Sequence, residues 1–212
     1  MTLAADRSPR VRAAVAQNPA APPDLLHVLV EDRHYQVRFA VTENPNRHAI
    51  AIALASPIRD VREMVAHRGD LSSTDIEALM RDPAHQVREQ LAQWSKDPEV
   101  LARLARDEHP SVRAESVLNQ HLSREDTEML AADRIARVRA VAASSRRLDP
   151  ATLTRLASDR SANVRWHVLV FNPERLDLAA LIAEDTDELN AGQAQSQLTD
   201  PREFPRSLEE LD

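Results

Sequence analysis

The sequence predicts an all-α solenoid of about seven two-helix repeats, each 24–26 residues long. Three observations predict it. The dipeptide Val-Arg returns at Val11, Val37, Val61, Val87, Val112, Val138 and Val164, at intervals of 24–26 residues. Five residues before those valines stand Asp6, Asp32, Asp82, Asp107, Asp133 and Asp159, with Ser56 in the third repeat. Apolar residues between these marks keep helical spacing. Self-similarity at this period is the signature of stacked supersecondary units. The array spans residues 1–185, where Asp185 opens an eighth, degenerate copy.

The first helix of each unit is read backwards from the aspartate. Ile76, Leu79 and Met80 precede Asp82, Leu101, Leu104 and Ala105 precede Asp107, and Leu153, Leu156 and Ala157 precede Asp159. Positions i, i+3 and i+4 share one helix face. After a four-residue turn the second helix is expected to open at the valine, with Val37 and Val41, Val87 and Leu91, or Val164 and Val168 along its buried side. It ends at Asn18-Pro19, Asn44-Pro45 or Asn172-Pro173, because proline disfavours helix for the residue before it. Neither helix is long enough to stand alone, so each unit depends on its neighbour.

The ends differ from the middle. Residues 2–7 match residues 129–134 in register, so the array is expected to start halfway through a first helix. Residues 186–212 are expected to form an acidic C-terminal cap or flexible tail, with residues 207–212 as one acidic helical turn. The chain carries 27 Lys and Arg against 34 Asp and Glu, a net charge of −7. Residues 183–212 hold nine acids and two arginines, so the preceding body is neutral and the whole charge sits in the tail.

Composition excludes several chemistries. With no cysteine there is no thiolate zinc site, iron–sulfur cluster or cysteine nucleophile. Two glycines, Gly69 and Gly192, cannot build a phosphate-cradling loop. Aromatics at 3% are too few for a surface that stacks single-stranded bases. The eight histidines form no His-x-x-x-His pair, so no metal or other cofactor is expected. No Gly-x-Ser-x-Gly elbow is present. No apolar run approaches the ~20 residues of a membrane span, and no signal peptide opens the chain, so a cytoplasmic protein is expected.

Asp-x-x-x-x-Val-Arg resembles the signature of HEAT-like repeats. With the short period, the Asn-Pro pairs and Pro-Pro-Asp-Leu-Leu at residues 22–26, the chain is similar to the leucine-rich repeat variant family. That resemblance implies paired short helices, some 3₁₀, stacked in a right-handed α-solenoid. It also implies an interaction scaffold and not an enzyme. The family's cysteine-ligated iron–sulfur cluster is not carried over to a chain without cysteine.

The resemblance further implies that the regular polar columns are a ladder between units. They comprise Asp6, Asp32, Asp82, Asp107, Asp133 and Asp159 with Arg12, Arg38, Arg62, Arg88, Arg113, Arg139 and Arg165. The arginine fork suits a shared carboxylate, and catalysis has no need of a group in every repeat. The competing reading is a row of arginines for phosphates or carboxylates. A second arginine set lies at the turns: Arg7, Arg10, Arg33, Arg59, Arg81, Arg106, Arg134, Arg137 and Arg160. It reads either as a solvated edge or as a contact for phosphates.

The exposed columns of the second helix vary most, and a column free to vary is not holding the core. They supply the candidate partner-binding residues Phe39, Glu43, Glu63, His67, Glu89, Gln93, Trp166 and Val170. Phe39 and Trp166 would be anchors, with Glu43, Glu63 and Glu89 as an acidic strip. The plainer reading is a solvated face with two partly buried aromatics. Trp94 and Trp166 also invite comparison with HEAT-like DNA glycosylases, which pair tryptophans with a catalytic aspartate on a basic surface. Here their columns differ and the body has no basic excess. The expected function is therefore a non-catalytic scaffold for a protein or peptide, and the alternative is nucleic-acid binding or processing through the arginine edge.

Overall fold

The computed structural model describes residues 3–199. Their regular structure is helical throughout, a 3₁₀ turn (Leu3–Ala5) followed by fifteen α-helices, with no strand among the described residues. The chain is thus an all-α solenoid of two-helix repeats, and it divides into two compact units at Lys96 and Asp97.

The first unit holds α1 (Pro9–Gln17), α2 (Pro23–Leu29), α3 (Tyr35–Thr42), α4 (Arg47–Leu54), α5 (Arg59–Val65), α6 (Ser73–Met80) and α7 (His85–Trp94). Its second helices stack as α1 on α3, α3 on α5 and α5 on α7, and its first helices as α2 on α4 and α4 on α6. The second unit holds α8 (Pro98–Leu104), α9 (Pro110–Leu118), α10 (Arg124–Leu130), α11 (Ala136–Ala143), α12 (Pro150–Ala157), α13 (Ala162–Phe171), α14 (Leu176–Ile182) and α15 (Glu188–Thr199). There α9, α11, α13 and α15 stack in sequence, and α12 packs on α14.

Helices of 7–12 residues are marginal in isolation, and here their ends and buried faces stabilise them. Pro23, Pro98 and Pro150 occupy the first turn of first helices, where the missing N–H costs nothing. Ser72 and Asp75 close a capping box at α6. Val37, Val61, Val87, Val112, Val138 and Val164 are fully buried, and Leu26, Ile50, Leu79, Leu104, Leu130 and Leu156 are buried on the first helices that pack against theirs. Burial of each such side chain contributes roughly 1.5–3 kcal/mol.

The second helices begin two residues earlier than the valine-based reading expects. The cause is the aspartate. Asp32 Oδ1 accepts the N–H of His34 at 2.8 Å, Asp133 Oδ1 that of Ile135 at 2.8 Å, and Ser56 Oγ that of Ile58 at 3.2 Å. This Asx turn makes the residue two places on the N-cap, so the helix starts at the next one.

An eighth two-helix unit follows, built from α14 and α15. Asn190 stands where other repeats have the valine. It is buried, and its Nδ2 donates to the Ala162 carbonyl at 3.0 Å and to Asp185 Oδ2 at 3.2 Å. Helix α15 packs on α13 and α14 and so occupies residues 188–199 of the acidic stretch. The expected helical turn at residues 207–212 lies outside the described residues. Among the described residues no helix is long and apolar enough to cross a membrane.

Candidate functional site

The arginine and aspartate columns meet across repeats. Arg12, Arg62, Arg113, Arg139 and Arg165 each direct Nε and Nη2 onto both carboxylate oxygens of Asp32, Asp82, Asp133, Asp159 and Asp185, at 2.5–3.0 Å. The partner always lies 20 residues ahead, in the next repeat. Nη1 turns back to the carbonyl six residues earlier, at 2.6–2.9 Å: Asp6 for Arg12, Asp32 for Arg38, Ser56 for Arg62, Asp82 for Arg88, Asp107 for Arg113, Asp133 for Arg139 and Asp159 for Arg165. One guanidinium therefore ties its own turn and clamps the next.

Asp185 shows the electrostatic result. The fork from Arg165, strengthened by the N–H of Asp187, holds its carboxyl at about 2. Asp32 is likewise held low by Arg12. Burial pushes Asp133 and Asp159 up, but the forks from Arg113 and Arg139 outweigh it and leave both below the ordinary value. These side chains are occupied with one another.

A second ladder, which the sequence reading missed, closes the C-terminal ends of the second helices. Asn44 Nδ2 donates to the Ala16 and Asn18 carbonyls at 2.6 and 3.0 Å. Arg68 does the same for Thr42 and Asn44, Arg147 for Val117, Asn119 and Leu122, Asn172 for Ala143, and Gln197 for Leu169. Helix C-termini leave four carbonyls unmatched, and the next repeat supplies the donors. The Asn-Pro pairs carry the signal, but the pattern alone marks only where the helix stops and not what its asparagine donates to.

The second-helix face shows how the candidate binding residues are placed. In the first unit Phe39 is 37% exposed and stacks on Tyr35, ring centroids 6.0 Å apart. Glu43 is exposed at the end of α3. Glu63 is half-buried beside Arg59 Nε at 2.8 Å, and Glu89 is half-buried 3.9 Å from His85. The acidic strip therefore has one exposed member, Glu43, and two that face neighbouring cations or a histidine. His67 Nε2 lies 2.7 Å from Gln90 Oε1, with its ring 5.2 Å from that of Trp94, while Gln93 is exposed.

In the second unit the equivalent pair is Ser144 and His167. Ser144 Oγ sits 2.9 Å from His167 Nδ1, and the imidazole packs on Phe171 at 5.5 Å. Burial lowers the His167 pKa. Val170 and Phe171 are exposed, as is Leu118 on α9. Trp166 is half-buried and lines a hollow of about 270 Å³ with Asn163, Asp187, Leu189 and Asn190, so α15 forms one of its walls. Trp94 and Phe171 both stand six residues past the repeat arginine, the shared column by which Phe171 could have been found.

All nine turn arginines are exposed. Arg59, Arg81 and Arg106 pair with Glu63, Glu77 and Asp126. Arg134 and Arg160 flank a separate hollow in the second unit, joined there by Arg155.

No protein-family model matches this chain, and no curated protein matches it by sequence. Among solved structures, one described as a leucine-rich repeat variant with a novel repetitive protein structural motif superposes with a TM-score of 0.63. It is 24% identical and the match covers 91% of this chain and 88% of its own. The chain shares that helical repeat fold, as the Asp-x-x-x-x-Val-Arg motif led one to expect.

Proposed function

We propose that the protein is a non-catalytic repeat scaffold that works in the cytoplasm and holds a protein or peptide partner on the face of its second helices. One observation carries the reading: large apolar side chains stand in solvent on that face. Tyr35, Phe39 and Trp94 do so in the first unit, and Leu118, Val170 and Phe171 in the second. Helices this short have every reason to bury such groups, and exposed aromatic and aliphatic anchors are what interface centres use. The polar columns beside them are occupied in holding repeats together, which suits a rigid platform.

Selection of peptides from a random library on the immobilised protein, followed by hydrogen-exchange footprinting, tests the proposal. Protection should fall on α3, α7, α9 or α13, and Phe39→Ser or Phe171→Ser should weaken the selected ligand. Protection confined to the first-helix layer would overturn it. The second reading, nucleic-acid binding along the turns, draws on Arg7, Arg10, Arg33, Arg134, Arg137 and Arg160, which make no ion pair with a carboxylate among the described residues. Its mark is an electrophoretic shift that collapses with added salt.

A further inference from the structure

The hollow between the sixth and seventh turns has a chemistry of its own, independent of the second-helix face. Its volume is about 450 Å³, within the roughly 300–1,000 Å³ of small-molecule sites. Arg134, Arg155, Arg160 and Ser158 border it, and all four are exposed. Arg155 is fixed there by donating Nη2 to the Ala131 carbonyl at 3.2 Å. The two carboxylates in the wall, Asp133 and Asp159, are each taken on both oxygens by Arg113 and Arg139. Each is also drawn down by the neighbouring Arg134 or Arg160, yet around the hollow four guanidiniums, Arg134, Arg139, Arg155 and Arg160, face only these two carboxylates, so positive charge is in excess. Elsewhere on the turns Arg59, Arg81 and Arg106 are each matched by a carboxylate of the chain.

Like charges gathered around one concavity repel, and a multivalent oxyanion reverses the sign of that interaction. Planar guanidiniums also match phosphate oxygens two at a time. We infer that this hollow binds a compact phosphate-bearing ligand of the diphosphate class, held by Arg134, Arg155 and Arg160. A nucleic acid is disfavoured by extent. The arginine following the ladder aspartate is replaced by Glu108 in the preceding repeat and Thr186 in the following one. The positive region thus covers two turns, about 10 Å at ordinary helix-packing distances, whereas duplex binding draws on some 6–10 phosphate contacts.

Calorimetric titration of the full chain with sodium pyrophosphate, against sodium chloride at matched ionic strength, tests this. One pyrophosphate should bind per chain, and Arg134→Gln or Arg160→Gln should weaken it by at least about tenfold. Arg33→Gln, an exposed arginine at the same repeat position in the first unit, should leave it unchanged. All three sites are exposed, and unchanged melting curves confirm that the variants fold. A parallel titration with ADP separates the sources: tighter binding than pyrophosphate assigns a nucleoside diphosphate, and equal binding assigns the diphosphate group alone. The inference is overturned by an absence of saturable heat, by equal weakening in Arg33→Gln, or by oligonucleotides that compete with affinity growing steadily with length.

Discussion

Arg38 bonds Asp60, 22 residues ahead, where Arg12, Arg62, Arg113, Arg139 and Arg165 each reach an aspartate 20 residues ahead. The reason is Ser56, which fills the aspartate position of the third repeat and keeps the turn through Oγ but offers no carboxylate. Arg38 makes a single bond to that carboxylate, Nη2 to Oδ2 at 2.6 Å, and leaves its own Nε and Asp60 Oδ1 buried without a partner.

Ser56→Asp should repair this rung. The new carboxylate would accept two bonds from Arg38 and keep the Asx turn that starts α5. The expected gain is about 1 kcal/mol, the usual net worth of a hydrogen bond replacing an unmatched buried donor. Urea denaturation should show a higher midpoint at unchanged slope. A lower midpoint would mean that the third repeat cannot present an acid to Arg38.

Acid should loosen the ladder over a defined window. The carboxyls of Asp32, Asp133, Asp159 and Asp185 lie below their ordinary value in the folded chain, Asp185 at about 2. A depressed folded pKa means stability that is complete above the unfolded value of about 3.9 and lost as pH falls toward the folded one. Melting temperature should drop between pH 4 and 2, after a smaller decline from pH 7 to 5 as the unfolded chain protonates His167, whose folded pKa burial lowers. In Asp185→Asn the starting melting temperature should be lower and the drop shallower. A flat profile down to pH 2.5 would contradict the ladder's role.

The aspartate–arginine ladder was legible because its chemistry admits no substitute: a bidentate fork needs a carboxylate, so identity recurs with the period. The carbonyl-capping ladder was not, because any N–H donor serves. Asn44, Arg68, Arg147, Asn172 and Gln197 do one job with three side-chain types. The eighth repeat faded from view for a related reason, since Asn190 fills the valine position by hydrogen bonding instead of apolar packing. Trp166 was legible as an aromatic on the second helix, but the wall that α15 builds beside it was not.

Asn44 gives that second ladder a direct test. It is fully buried, donates to two carbonyls through Nδ2 and accepts the Asn46 N–H at 2.8 Å. Asn44→Ala leaves these groups unmatched and should cost about 1–3 kcal/mol. Asn44→Asp keeps the shape but turns a buried carboxylate oxygen toward the Ala16 and Asn18 carbonyls. It should destabilise more than alanine does, and more at pH 7 than at pH 4, where protonation restores a donor. Equal losses for the two variants would show that packing, not donation, is what matters there.

The second-helix face makes the opposite forecast, and the contrast separates binding from folding. Phe171 is exposed at the end of α13, while Leu169, two residues earlier, is buried in the core of the second unit. Leu169→Ala removes buried contacts and should cost about 2–5 kcal/mol. Phe171→Ser removes only its stacking on His167 and should change stability by less than about 1 kcal/mol. If the face holds a partner, the same Phe171→Ser change should weaken a footprinted peptide severalfold while leaving the melting curve in place. A large loss of stability instead would assign Phe171 to the fold and remove it from the binding surface.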